Sequence, residues 1–60
     1  DSDDPDLASS HYNVGKVYAK RKNKKKALEH LLKAKAIWFK KLGSEDPYVK
    51  NAQAMIDGLK

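Results

Sequence analysis

NVGKVYAKRKNKKKALEHLLKA, residues 13–34, is the stretch that decides how this chain folds. Gly15 in a helical stretch costs about 1 kcal/mol relative to alanine, so its presence points to a second helix crossing too closely to admit a side chain. Tyr18 lies three residues on and shares that face. Past the polar break at Asn23, Ala27, Leu31, Ala34 and Trp38 recur at intervals of four, three and four, which makes one stripe of a second helix. Small residues in that stripe let the two axes approach. The pattern predicts two helices packed as an antiparallel hairpin.

Gly15, Tyr18, Ala27 and Ala34, with Val14 and Leu31 at apolar positions, resemble the signature of the tetratricopeptide repeat, which spaces a small residue, an aromatic and two alanines in this way. The alignment needs no gap. His11 stands where that family prefers tryptophan or another aromatic, Lys22 where it favours glycine, and Lys24 where it favours an aromatic; Leu31 also replaces an aromatic. These departures fall more at the turn than in the helices.

Outward from this stretch, Asp4-Pro5-Asp6 reads as a helix start, with Asp4 as N-cap, Pro5 at the first helical position and Asp6 facing the positive end of the dipole. Helix one is expected from Pro5 to Arg21, burying a face of Leu7, Ala8, Val14, Val17 and Tyr18. Asn23 is the expected N-cap of helix two, Lys24 to Leu42. Gly43 should end it in left-handed conformation, with Lys40 and Lys41 in the favourable last turn. Helix two carries two apolar stripes, Ala27-Leu31-Ala34-Trp38-Leu42 and Leu28-Leu32-Ile37-Phe39. Two such faces call for two neighbours.

The second neighbour is announced by Asp46-Pro47, which repeats Asp4-Pro5 after 42 residues, while Leu7 recurs as Val49 and Val14 as Ile56. This long period is similar to the repeat variant of kinesin light chains and related proteins, in which an Asp-Pro or His-Pro start follows a Leu-Gly end. LGSEDP (Leu42 to Pro47) and DPDLASSHYNVGKVY (Asp4 to Tyr18) carry that resemblance. Helix three, Pro47 to Leu59, is expected to bury Val49, Ala52 and Ile56, with Tyr48, Met55 and Leu59 as further candidates. Asp57 falls at the Gly15 position and Lys60 at the Tyr18 position, so helix three is either a terminal cap or the start of a next repeat. The expected class is all-α: one hairpin plus a third helix over residues 5–60, after an acidic tail at 1–4. Repeat arrays need about three units to be stable, so the unit reads as part of a longer array.

Sixty residues make one small domain that buries only about 60% of the surface its unfolded chain exposes. Without cysteine there is no disulfide, thiolate nucleophile or thiolate metal site. No apolar run approaches the ~20 residues that span a bilayer, and the acidic start is unlike a signal peptide, so an intracellular protein, cytoplasmic or nuclear, is expected. The net charge of +5 is uneven: Asp1, Asp3, Asp4 and Asp6 crowd the beginning, and Lys16 to Lys26 hold most of the positive excess. Such a balance favours an acidic partner.

The basic run comprises Lys20, Arg21, Lys22, Lys24, Lys25 and Lys26 around Asn23. It reads either as a solvated turn or as a docking surface for an acidic protein segment, an import receptor or phosphates. Lys24, Lys25 and Lys26 occupy a first helical turn, where the macrodipole disfavours cations by a few tenths of a kcal/mol each. No aromatics are interleaved for stacking on bases, which counts against single-stranded nucleic acid. The resemblance implies a concave face lined by Ser9, Tyr12, Lys16, Ala19 and Lys20, with Asn13 adjacent. Together these offer an aromatic surface, an amide and two cations to an extended acidic peptide; the bland alternative is an ordinary exposed helix face.

No enzyme is expected. His11 and His30 lack metal-ligand spacing; His11 reads as a packing residue and His30 as exposed. Ser9, Ser10, His11 and Asp57 have neither nucleophile elbow nor oxyanion loop. Asp1 to Asp6 lacks the glycine and glutamate of a calcium loop. Trp38 and Phe39 read as core or inter-repeat packing. No cofactor is implied. The expected role is a protein-interaction module binding an extended, acidic peptide. Nucleic-acid or anionic-headgroup binding through the basic turn is the alternative, and self-association through an exposed apolar edge the third reading.

Overall fold

Each helix begins where a short polar side chain takes up a free backbone N–H. A computed structural model describes residues 4–59, with α1 at Pro5–Lys20, α2 at Lys24–Leu42 and α3 at Pro47–Leu59. Asp4 Oδ1 accepts from Asp6 N at 2.8 Å, and Asp46 Oδ1 accepts from Tyr48 N at 2.9 Å. The same bond, 42 residues apart, opens α1 and α3 alike. Asn23 Oδ1 accepts from Lys26 N at 3.3 Å to cap α2. Residues 1–3 of the expected acidic tail at 1–4, and Lys60, lie outside the described residues.

α1 ends at Lys20, one residue before the expected Arg21. Its last carbonyls are closed by Asn23 N to Tyr18 O at 2.9 Å and Lys22 N to Ala19 O at 3.0 Å, the two bonds of a Schellman cap. That cap requires a left-handed residue, and Lys22 supplies it at φ 62°. A non-glycine residue there costs about 1 kcal/mol. Gly43 differs from expectation. Its φ of 93° is positive, but its ψ of 165° leads the chain away from the helix instead of curling it. Gly43 N still bonds Phe39 O at 3.0 Å, and its carbonyl accepts from Asp46 N at 3.3 Å, tying the exit from α2 to the start of α3.

α2 is the central element, packed against both α1 and α3. Ala8, Ala34, Ile37, Trp38, Val49 and Ala52 form one buried cluster, with Tyr12 against it. Toward the other end of the hairpin, buried Gly15 meets Leu31 and the carbonyl of Ala27. The expected close approach of α1 and α2 is therefore present. Lys35 Nζ donates to Gln53 Oε1 across the α2–α3 seam, and Gln53 Nε2 donates to Asp57 Oδ1 at 2.7 Å. Asp57, which breaks the repeat pattern, thus orients an amide between helices.

Two expected faces are only partly covered. On α1, Ala8 is buried and Tyr18 half-buried, but Leu7, Val14 and Val17 are exposed. On α2, Ile37 is buried, whereas Leu32, Phe39 and Leu42 face solvent. On α3, Val49, Ala52 and Ile56 are buried as expected, and Tyr48 is exposed. The reason is dimensional. The molecule measures 29 × 23 × 12 Å, and a slab that thin can enclose only the two faces of its central helix.

Candidate functional site

An aromatic groove arises where α1 and α3 flank the second half of α2. Ser9, Tyr12 and Asn13 of α1, Trp38 of α2, and Tyr48 and Asn51 of α3 line a groove of about 250 Å³. Trp38, only 3% exposed, is its floor. Tyr12 leans on the indole with centroids 5.4 Å apart and planes at 56°, and Tyr48 stacks on it at 5.1 Å and 28°. One buried ring thus holds one aromatic on each wall, an arrangement worth about 0.5–1.5 kcal/mol per pair beyond area burial. Tyr48 remains 56% exposed, so its ring is available to a ligand. Asn13 and Asn51 place exposed amides on opposite walls.

Three of the six residues expected on the concave face, Ser9, Tyr12 and Asn13, line this groove. Lys16 stands at its edge with Nζ 5.5 Å from the Tyr12 ring centroid, within cation–π range. Ala19, half-buried, and Lys20, exposed, lie further along α1 and do not line it. Sequence reasoning missed Trp38, Tyr48 and Asn51. The 42-residue period held the signal for one of them, since Asn51 is the counterpart of Ser9.

Arg21, Lys22, Lys24, Lys25 and Lys26 are all exposed, and among the described residues none of them has a carboxylate within ion-pair distance. The ion pairs Lys33–Glu29 at 3.9 Å and Lys50–Glu45 at 3.3 Å lie elsewhere on the surface, where such pairs contribute little.

His30, expected to be exposed, is half-buried because α1 covers it. Its Nδ1 lies 3.2 Å from Nδ1 of His11, and its ring lies parallel to that of Tyr18, with centroids 5.6 Å apart and planes at 10°. His11 is held below the usual histidine range, first by burial, then by His30 and by Lys33. Among the described residues no helix is long and apolar enough to cross a membrane. Comparison with protein-family models, with curated proteins and with solved structures finds no match to this chain.

Proposed function

We propose that this chain is a tetratricopeptide-like binding module that takes an extended, acidic peptide segment into the groove between α1 and α3. What supports this is the aromatic-floored groove itself: Tyr12, Trp38 and Tyr48 offer apolar contact, and Asn13 and Asn51 offer donors and acceptors to a peptide backbone on both sides. Lys16 and the basic turn supply positive charge on the same helix and the adjoining loop. Rigid helices lose little ordering entropy on binding, so specificity comes from the groove and on-rate from the charges.

Trp38 is the chain's only tryptophan, so its fluorescence reports directly on the groove. Titration with a peptide alternating Asp or Glu with apolar residues is expected to change that signal, while a Lys-substituted counterpart does not. Tyr12→Ala should weaken binding about tenfold, the loss of one aromatic contact at a small interface. Equal binding of both peptides, or an unchanged Tyr12→Ala, removes the proposal. Should affinity instead attach to oligonucleotides, survive Tyr12→Ala and fall with salt at a slope near −0.9 per phosphate, the basic turn is the site.

A second reading is favoured by the internal repeat. Val49 and Ile56 are 4% and 1% exposed where α3 lies on α2, whereas their counterparts Leu7 and Val14 on α1 are 37% and 39% exposed. The outer stripe Leu7-Val14-Val17 therefore has the apolar character of a helix that seats on another unit of this kind. Sedimentation over a concentration series is expected to show growth in mass; a strict monomer at the highest concentration excludes self-association through this edge.

A further inference from the structure

We propose that His11 and His30 form a single-proton site across the α1–α2 seam, which locks the hairpin while it holds one shared proton and loosens it when both rings are charged. The geometry is that of an imidazole–imidazole hydrogen bond. The Nδ1 atoms are 3.2 Å apart while the ring centroids are 5.5 Å apart, a difference of about two ring radii, so the two nitrogens point at each other along the line that joins the rings. The planes differ by 30°, and the rings meet edge to edge. One Nδ1 donates and the other accepts. A metal ion is a poor occupant, because each Nδ1 is aimed at the other ring and, among the described residues, no group of three or more potential ligands gathers here.

The surroundings make the second proton costly. Tyr18 of α1 lies parallel to His30 with ring centroids 5.6 Å apart, and Lys33 of α2 adds a positive charge toward His11. The Lys33 charge is only partly offset by Glu29, 3.9 Å from its Nζ at an exposed position. Among the described residues, the influences on His11 are burial, then His30 and Lys33. A depression lined by Leu7, His11, Lys33, Ala36 and Ile37 leaves His11 open to solvent protons. Two like charges at hydrogen-bond distance repel, and the bond that joined the helices is lost with them.

In the unfolded chain each histidine takes its proton near the ordinary value of about 6.5, while in the folded chain His11 takes it only at lower pH. Between those values the unfolded state holds more protons. Stability is thus complete above about pH 6.5 and falls as the pH drops through that value, until folded His11 is also protonated.

Thermal unfolding of the chain at about pH 7.5 and about pH 5, a window in which ordinary carboxylates stay ionised, reads this directly. The parent is expected to lose about 5 °C in Tm at the lower pH. His11→Phe, which keeps a ring in the seam but cannot titrate, should lose less than about a third of that, and Lys33→Gln should move the parent's midpoint back toward the ordinary histidine value. A parent equally stable at both pH values, or a His11→Phe chain with the parent's full loss, overturns the proposal. If His11→Phe does not fold, ring-nitrogen NMR of the parent decides. A His11 that titrates below the ordinary range with its Nδ1 hydrogen-bonded supports the site, and one that titrates normally sinks it.

Discussion

Gly15→Leu is expected to leave the chain unfolded, or nearly so, at 25 °C. An added Cβ at Gly15 would lie 2.8 Å from Leu31 Cγ, 3.0 Å from Leu31 Cδ2 and 3.2 Å from the Ala27 carbonyl oxygen. None of these can retreat easily: Leu31 is fully buried, and the oxygen belongs to the backbone of α2. Even Gly15→Ala, which gains about 1 kcal/mol of helix propensity, should lose more than that to overpacking, which typically costs 1–3 kcal/mol. Leucine adds three further carbons to the same seam. A domain of this size has about 3–9 kcal/mol to lose, so the leucine variant sits at or past the limit. Circular dichroism with urea titration measures it. The cause is isolated by a double-mutant cycle: with Leu31→Ala already present, Gly15→Ala should become neutral or stabilising. A Gly15→Leu chain that melts with the parent would mean that the helices do not meet here.

What was legible in the sequence is what local chemistry determines. Asp4, Asn23 and Asp46 announce helix starts because a cap needs only a side chain and the N–H two or three residues on. Gly15 and the alanines announced a crossing because small residues in a helix need a reason. The left-handed residue was harder. Gly43 looked like the place for αL geometry, but Lys22 holds it, since the Schellman bonds from Lys22 and Asn23 outweigh the cost of a side chain. The His11–His30 pair was invisible because its members are 19 residues apart on different helices, and their register depends on how closely Gly15 lets the axes approach. The candidate groove was half legible. Its α1 wall follows from one helix face, whereas Trp38, Tyr48 and Asn51 join it only once α3 has folded back on α2. Leu7, Val14 and Val17 were expected on a buried face and are exposed, because a sequence does not say what covers a face.

Trp38→Ala is the second change expected to be severe, and it tests how far the fold and the candidate groove are one object. The indole is 3% exposed and belongs to the same buried cluster as Ala8 of α1 and Val49 and Ala52 of α3. It also carries both groove tyrosines, with ring centroids 5.4 Å from Tyr12 and 5.1 Å from Tyr48. Truncating a buried tryptophan costs about 3–5 kcal/mol, comparable to the whole stability of sixty residues. Loss of α3 packing should come first, because Val49 and Ala52 reach the core through the cluster that Trp38 anchors, whereas Leu31 and Gly15 hold the hairpin at its other end. Amide exchange should therefore show α3 amides losing protection before those around Leu31. Tyr48→Ala is the comparison that separates the two roles: at 56% exposure it should leave the melting temperature within a few degrees of the parent while weakening acidic-peptide binding. If Trp38→Ala melted no earlier than Tyr48→Ala, the indole would not be the joint between α2 and its two neighbours. The aromatic floor assigned to the groove would then have no rigid support.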